Sequence, residues 1–278
     1  MTITPILSSG HVAVVTGAAS GIGKAVCKRL AKADMTVCLV DLPGNDLDEA
    51  TAEINDIAKD GAASVFPLPT DLADPDQITA LHETVKARFG KVHFLMNNAV
   101  SRKGRGFDAD LDAWRQAMDV NFWGPVAMVR AFLPTMQAKG EPGMIVNVGS
   151  KQGITNPPGH PIYNITKSAL KTYTEALEHD LRSSEGDQRI SAHLLVPGWT
   201  TTGKKAHQDG AWLPDQVVDF MLDALGKGAF YILCPDDEVT TEMDHKRILW
   251  AANDIIDNRP PLSRWHPDFE AEAKKACS

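Results

Sequence analysis

The sequence predicts an α/β protein: three layers, with helices on both faces of a doubly wound parallel sheet of about seven strands. Two observations carry this. Short apolar runs alternate with longer helix-patterned segments along most of the chain. The runs are rich in valine, isoleucine and leucine without clean polar alternation, which is how strands buried on both faces read. Strand–helix alternation then implies right-handed crossovers that cover the sheet on both sides.

The predicted strands are 11–16, 36–40, 64–68, 93–97, 144–149, 190–196 and 229–233, and the predicted helices are 21–33, 45–59, 75–89, 111–138, 162–182 and 214–226. A further helix is expected near 238–253, followed by a tail whose Pro260, Pro261 and Pro267 block regular helix locally. With 278 residues, 43 % of them apolar, and no internal repeat or dividing linker, the expectation is one domain over 1–278 with a C-terminal helical extension at 235–278.

Composition excludes several functions. A net charge of -8 offers no basic field for nucleic acid or an anionic membrane surface. Cys27, Cys38, Cys234 and Cys277 are too widely spaced for a redox pair or a zinc site, so plain thiols and no metal are expected. The first ten residues lack the pattern of a secretion signal, and no run reaches the length of a membrane span. A soluble, cytoplasmic protein is the expectation.

The first strand runs into Thr16-Gly17-Ala18-Ala19-Ser20-Gly21-Ile22-Gly23, and a helix follows. Glycines at this spacing let backbone approach a pyrophosphate closely, and the helix N-terminus faces that anion with unpaired N–H groups. This is the start of a Rossmann-type dinucleotide site. The second strand ends on Asp41, 18 residues beyond Gly23, with Leu42 next. A carboxylate there can accept from the adenosine ribose and would repel a 2′-phosphate, and no basic residue follows it. NAD is therefore expected over NADP.

Tyr163 and Lys167 stand four apart on a helix opened by Pro161, so their side chains share one face. A free phenol is a poor base at neutral pH, and a neighbouring ammonium stabilises its phenolate. Ser150 closes the fifth predicted strand, where ligands of doubly wound sheets bind. Alone, each of these features is common.

Together the pieces resemble the short-chain dehydrogenase/reductase family. Thr16–Gly23, Asp71-Leu72, Asn97-Asn98-Ala99, Asn121, Ser150, Tyr163–Lys167 and Pro197-Gly198 followed by Thr202 occur in family order over residues 10–202. The resemblance implies an oxidoreductase that moves a hydride between a nicotinamide cofactor and a secondary alcohol or ketone. Tyr163 would be the general acid/base, Lys167 its partner, Ser150 the group orienting the substrate oxygen, and Asn121 the holder of a water extending a proton relay. Gly17, Ser20, Gly21, Ile22, Gly23, Asp41, Leu42, Asp71, Leu72, Asn98, Ala99, Val120, Pro197, Gly198, Thr200 and Thr202, with Tyr163 and Lys167, would contact the cofactor. Pro125 has no N–H for the Asn121 carbonyl four residues back. A bend there would leave that carbonyl for the relay water.

The sequence also departs from the family. Val100 replaces the glycine that usually follows Asn-Asn-Ala, and over 40 residues follow the last strand. Segment 200–214, with Gly203, Lys204, Lys205, His207, Gly210 and Trp212, falls where the family places a substrate lid. Lys204 and Lys205 read as solvated rather than as a contact for an acidic substrate, His207 and His266 as surface residues rather than ligands, and Trp199, Trp212 and Trp265 as either a pocket wall or core. Apolar helices 111–138 and 162–182 suit pairing across a two-fold axis, giving a homodimer or homotetramer. Two rival functions share the fold: a non-catalytic dinucleotide sensor, and an epimerase or dehydratase.

Overall fold

The computed structural model describes residues 5–59, 64–138, 140–183, 189–203 and 206–277. Seven parallel strands form one sheet: β1 (Val12–Thr16), β2 (Thr36–Asp41), β3 (Val65–Pro69), β4 (Phe94–Asn97), β5 (Gly143–Val148), β6 (Ile190–Val196) and β7 (Tyr231–Leu233), in the order β3-β2-β1-β4-β5-β6-β7. The chain reverses direction across the sheet between β1 and β4. That switch point leaves a crevice at the strands' carboxyl ends.

Period-two alternation sends the strand residues to two cores. Ala13, Val15, Val37, Leu39, Phe94 and Met96 pack against α1 (Gly21–Lys32), α2 (Asn45–Asn55) and α8 (Pro214–Gly226). Val12, Val14, Cys38, Val40, Leu95 and Ile145 face α3 (Pro75–Phe89), α5 (Gly124–Ala138) and α7 (Pro161–Ser183). Local chemistry fixes the helix ends. Asp74 caps α3 by accepting from Asp76 and Gln77, Pro75 fills its first position, and Gly90 ends it in the left-handed region.

Three expectations need correction. The predicted helix 111–138 is broken: α4 (Leu111–Met118) passes through a wide π turn, Asp119–Trp123, into α5. The Gly124 N–H bonds the Asp119 carbonyl five residues back, and Pro125 supplies no donor to Asn121. The fifth strand stops at Val148, so Ser150 lies two residues past it, ahead of a short helix α6 (Gln152–Thr155). The extension carries α9 (Thr241–Ile256), started by a Thr240 cap on the Met243 N–H, and α10 (Glu270–Ala276). Ala273 and Cys277 of this tail bury against Trp250. The prolines do exclude helix from 257 to 262, but beyond Pro267 the chain is helical again.

Four free, buried cysteines match the expectation of plain thiols. Burial pushes Cys38 and Cys234 up to about 12. Among the described residues no helix is long and apolar enough to cross a membrane.

Candidate active site

The glycine turn lies at the switch point. Gly17 and Gly21 take φ of 65° and 55°, a region side chains avoid. A Cβ on Gly23 would stand 2.2 Å from the Gly17 carbonyl oxygen, so α1 can approach β1 this closely only with glycine. The Asn98 amide donates to the carbonyls of Thr16 (2.9 Å) and Gly17 (3.1 Å). The Thr16 hydroxyl accepts from the N–H groups of Asn98 and Ala99. Asn98 thus braces the turn across β1 and β4. Thr202 stands over the turn, with its Cβ and Cγ2 3.1 Å from where a Gly21 Cβ would be. Ser20 makes no side-chain cap bond, and Ile22 is buried in the core.

Around this turn the other sequence-selected residues fall as follows. Asp41 accepts from the Ala19 N–H through one oxygen and from the Leu42 N–H through the other, both at 2.8 Å, which ties the end of β2 to the glycine turn. Leu42 itself is exposed. Asp71 turns its carboxylate onto the Ala73 N–H (2.9 Å). Leu72 is buried beneath the π turn, close to Gly124. Val120 is half-buried within that turn.

Tyr163 and Lys167 share one face of α7, the lysine Nζ lying 5.8 Å from the Tyr163 ring centre. Lys167 is buried, and its Nζ donates to the Val148 carbonyl at 2.7 Å. Burial, reinforced by the Arg102 guanidinium, brings its pKa down to about 7. Asn121 is also buried. Its side chain accepts from the Ser101 N–H (2.7 Å) and donates to the Ser101 carbonyl (2.9 Å) and the Thr166 hydroxyl (3.2 Å). Thr166 in turn donates to the Tyr163 carbonyl (2.9 Å). The side chain of Asn121 is therefore fully engaged in holding the loop after β4 against α7.

The Ser150 hydroxyl accepts from the Gln152 N–H at 3.2 Å, and α6 sits directly on α7. A Cβ on Gly153 would be 2.6 Å from the Lys167 carbonyl carbon and 2.8 Å from its Cβ. The Ser168 hydroxyl donates to the Gly153 carbonyl (2.9 Å). Gly153 and Thr166 escaped sequence reasoning, because neither stands at a spacing that announces close packing.

A charged knot beside Ser150 was equally hidden. The Lys151 Nζ lies 2.7 Å from Asp244 and 3.3 Å from Asp236, with both carboxylates buried. Burial raises the Asp244 pKa against the pull of Lys151. Asp236 also accepts from the Trp199 N–H (2.9 Å) and from Val239 (2.7 Å), and Gly198 allows the close approach. Pro197, Gly198 and Thr200 are thus fastened to the start of the C-terminal extension. Trp212 packs on Phe220 and donates to Asp237, Trp199 is exposed, and Trp265 stacks with Arg264. Lys204 and Lys205 lie outside the described residues.

At the opposite end of the sheet, His11, His93 and Glu141 bring ligand-type atoms within 4.8 Å of one another. Those atoms are already committed. His93 accepts from the Val12 N–H and bonds Glu141, His11 bonds the Ile6 carbonyl, and Lys91 pairs with Glu141.

Comparisons with known proteins agree with this geometry. The family model described as short chain dehydrogenase matches residues 11–210. The 1-deoxy-11-beta-hydroxypentalenate dehydrogenase of Streptomyces arenae is 30 % identical over 269 residues, 93 % of this chain and 94 % of that protein. A short chain dehydrogenase/reductase from Burkholderia phymatum, solved in complex with NAD, is 30 % identical with a TM-score of 0.76, covering 91 % of this chain and 96 % of that one. A metagenomic short-chain oxidoreductase, solved with NADP, is 27 % identical with a TM-score of 0.68, covering 82 % and 98 %. This chain, with its glycine turn at the sheet's switch point and its tyrosine–lysine helix beside it, belongs to the short-chain dehydrogenase family of oxidoreductases.

Proposed function

We propose that the protein is an NAD-dependent dehydrogenase/reductase acting on a secondary alcohol or its ketone, with Tyr163 as the general acid/base. The observation that carries this reading is the buried Lys167 ammonium, 5.8 Å from the Tyr163 ring, on a helix against which the Ser150 turn is tightly packed.

The residues present fit a dinucleotide. Gly17, Gly21 and Gly23 pack too closely against Asn98, Ala99, Thr202 and the Gly17 carbonyl to carry side chains, which keeps the first turn of α1 tight at the end of β1, where a pyrophosphate would sit. Asp41, Leu42, Asp71, Leu72, Ala99 and Val120 would line the adenosine side, and Pro197, Gly198 and Thr200 the nicotinamide side. When bound, the nicotinamide ring accepts or donates the hydride. Asp41 favours NAD, since its carboxylate would face and repel a 2′-phosphate. The relatives solved with bound cofactor include one with NAD and one with NADP. The name of the Streptomyces arenae relative supports a hydroxyl as the reacting group.

In the oxidation direction the Tyr163 oxygen removes the hydroxyl proton while Ser150 holds the substrate oxygen. Lys167 stabilises the phenolate, and its low pKa suits it to pass a proton onward near neutral pH. The Asn121 side chain is occupied, so a relay water would rest on its carbonyl, which Pro125 denies an α-helical donor. Residues 1–278 would form one catalytic unit, with 200–214 as lid and 235–278 as extension. An open apolar groove lined by Phe122 of the π turn and by Ile165, Ala169 and Tyr173 of α7 supports two-fold pairing of this face in at least a homodimer. A cytoplasmic location fits the absence of a spanning helix among the described residues.

Incubation with NAD and a panel of secondary alcohols, following reduced cofactor, tests the proposal. Tyr163→Phe should abolish turnover while NAD binding stays. Equal activity in that variant would refute the role of Tyr163.

A further inference from the structure

The loop after β4 carries Ser101-Arg102-Lys103-Gly104-Arg105, three cations within four positions of a chain whose net charge is -8. Three contacts lay this loop across the first turn of α7. A Cβ on Gly104 would be 2.7 Å from Ile162 Cδ1, so the backbone sits directly on that turn. The Arg105 guanidinium donates to His160 at 3.3 Å. The Arg102 Cζ lies 5.5 Å from the Tyr163 ring centre. Asn121 pins the loop's base through Ser101.

Arg102 has no carboxylate partner among the described residues, although acidic groups outnumber basic ones in the chain. It is exposed on one side and faces the reacting phenol on the other. Other arginines with no carboxylate partner among the described residues, such as Arg88 over Phe66 and Arg264 over Trp265, rest on structural aromatic rings, whereas Arg102 lies against the Tyr163 ring. The 2′-phosphate of a cofactor is not its target, because that group would lie at the end of β2, by Asp41. We infer that Arg102 is a substrate-recognition residue and that the alcohol or ketone served by Tyr163 carries a carboxylate, held by the Arg102 guanidinium beside the reacting carbon. This rests on the reading of Tyr163 as the proton-transfer group. The planar fork of arginine suits bidentate capture of a carboxylate. Its charge also disfavours the Lys167 ammonium, so a bound carboxylate would relieve that repulsion.

The test uses the NAD-loaded enzyme and has two arms. In the first, calorimetric titration compares cyclohexanecarboxylate with cyclohexanecarboxamide. The carboxylate should bind about 10- to 100-fold more tightly, the range of a charge-assisted hydrogen bond. Arg102→Gln should erase that ratio, Arg102→Lys keep part of it, and Lys103→Gln leave it. Absence of carboxylate preference in the wild type, a ratio that survives Arg102→Gln, or an equal loss in Lys103→Gln each overturns the assignment. The second arm compares turnover of 3-hydroxycyclohexanecarboxylate with that of its methyl ester. Ester turnover equal to or faster than carboxylate turnover would sink the inference and leave the oxidoreductase reading standing. Failure of every alcohol, with carboxylate still bound through Arg102, would instead sink the reaction and keep the anion site.

Discussion

Replacing Gly153 by alanine adds one methyl group to the molecule, at the point where α6 meets α7. The new Cβ would lie 2.6 Å from the Lys167 carbonyl carbon, and 2.8 Å from its carbonyl oxygen and its Cβ. Two of those atoms are backbone in the middle of a 23-residue helix, so they cannot swing aside. An ordinary contact distance of about 3.5 Å requires α6 to retreat by roughly 0.7–0.9 Å. Ser150 moves with it, because its hydroxyl and carbonyl are bonded to Gln152 and Gly153. Overpacking of this kind costs about 1–3 kcal/mol of stability. A displacement near 1 Å at a positioning group can cost about 100-fold in rate. Urea denaturation and steady-state kinetics on one secondary alcohol measure the two effects, and Gly226→Ala, where no atom lies within 4 Å of the new methyl, is the control. The expected result is a large fall in kcat with a small change in NAD affinity for Gly153→Ala, and normal kinetics for Gly226→Ala. Unchanged kcat in a Gly153→Ala protein that has lost stability would refute the link between α6 packing and Ser150 placement.

Lys167→Met should abolish turnover and flatten the dependence of apoprotein stability on pH between about 7 and 8.5. Burial lowers this lysine to about 7, against ~10.4 unfolded, so the unfolded chain binds more protons and stability rises with pH through that window. The slope difference, at most ~1.4 kcal/mol per pH unit, is read from urea melts, and parallel slopes would show that Lys167 is not desolvated. Asp41→Ser should raise the NADP-to-NAD ratio of kcat/KM at least about tenfold, the scale of one charged hydrogen-bonding interaction, and an unmoved ratio would remove Asp41 as the selector. Asp236→Asn should cost roughly 2–3 kcal/mol, below the 3–5 typical of a broken buried pair because Asp244 still faces Lys151. It should also raise KM for NAD through the loosened Trp199 loop. A stability change under about 0.5 kcal/mol would mean that the knot is solvated.

Much of this was legible in the sequence because it depends on local pattern. The strand runs read correctly, most plainly in β1, β5 and β6, where every residue is buried and the stretch is apolar nearly throughout. The glycine turn reads from spacing because its φ values and the contact of Gly23 with Gly17 are set within seven residues. Helix 111–138 misled because its apolar period continues across Asn121, and periodicity does not register a wider turn. Pro125 did mark the place. What sequence could not show is contact between distant segments: Gly153 against Lys167, Lys151 with Asp236 and Asp244, Arg102 near Tyr163. None of these has a spacing rule, because each depends on how two elements meet in space. The α10 helix has no local signal of the same kind: Pro260, Pro261 and Pro267 precede it, and a short segment is held helical from outside by packing on Trp250.

The knot around Asp236 bears on how this protein can be re-engineered. One carboxylate joins the backbone of the 197–200 loop to the lysine that follows Ser150, and it sits at the first residues of the C-terminal extension. A chimera that replaced the chain after Cys234 with a relative's terminus would leave the Lys151 ammonium without its two buried carboxylates. It would also unhook the 197–200 loop, which the proposed function sets beside the nicotinamide. Grafts should therefore carry Lys151, Asp236 and Asp244 as one inherited set, and a truncation meant to trim a peripheral tail would break the support of the loop after β6 and of the turn that holds Ser150.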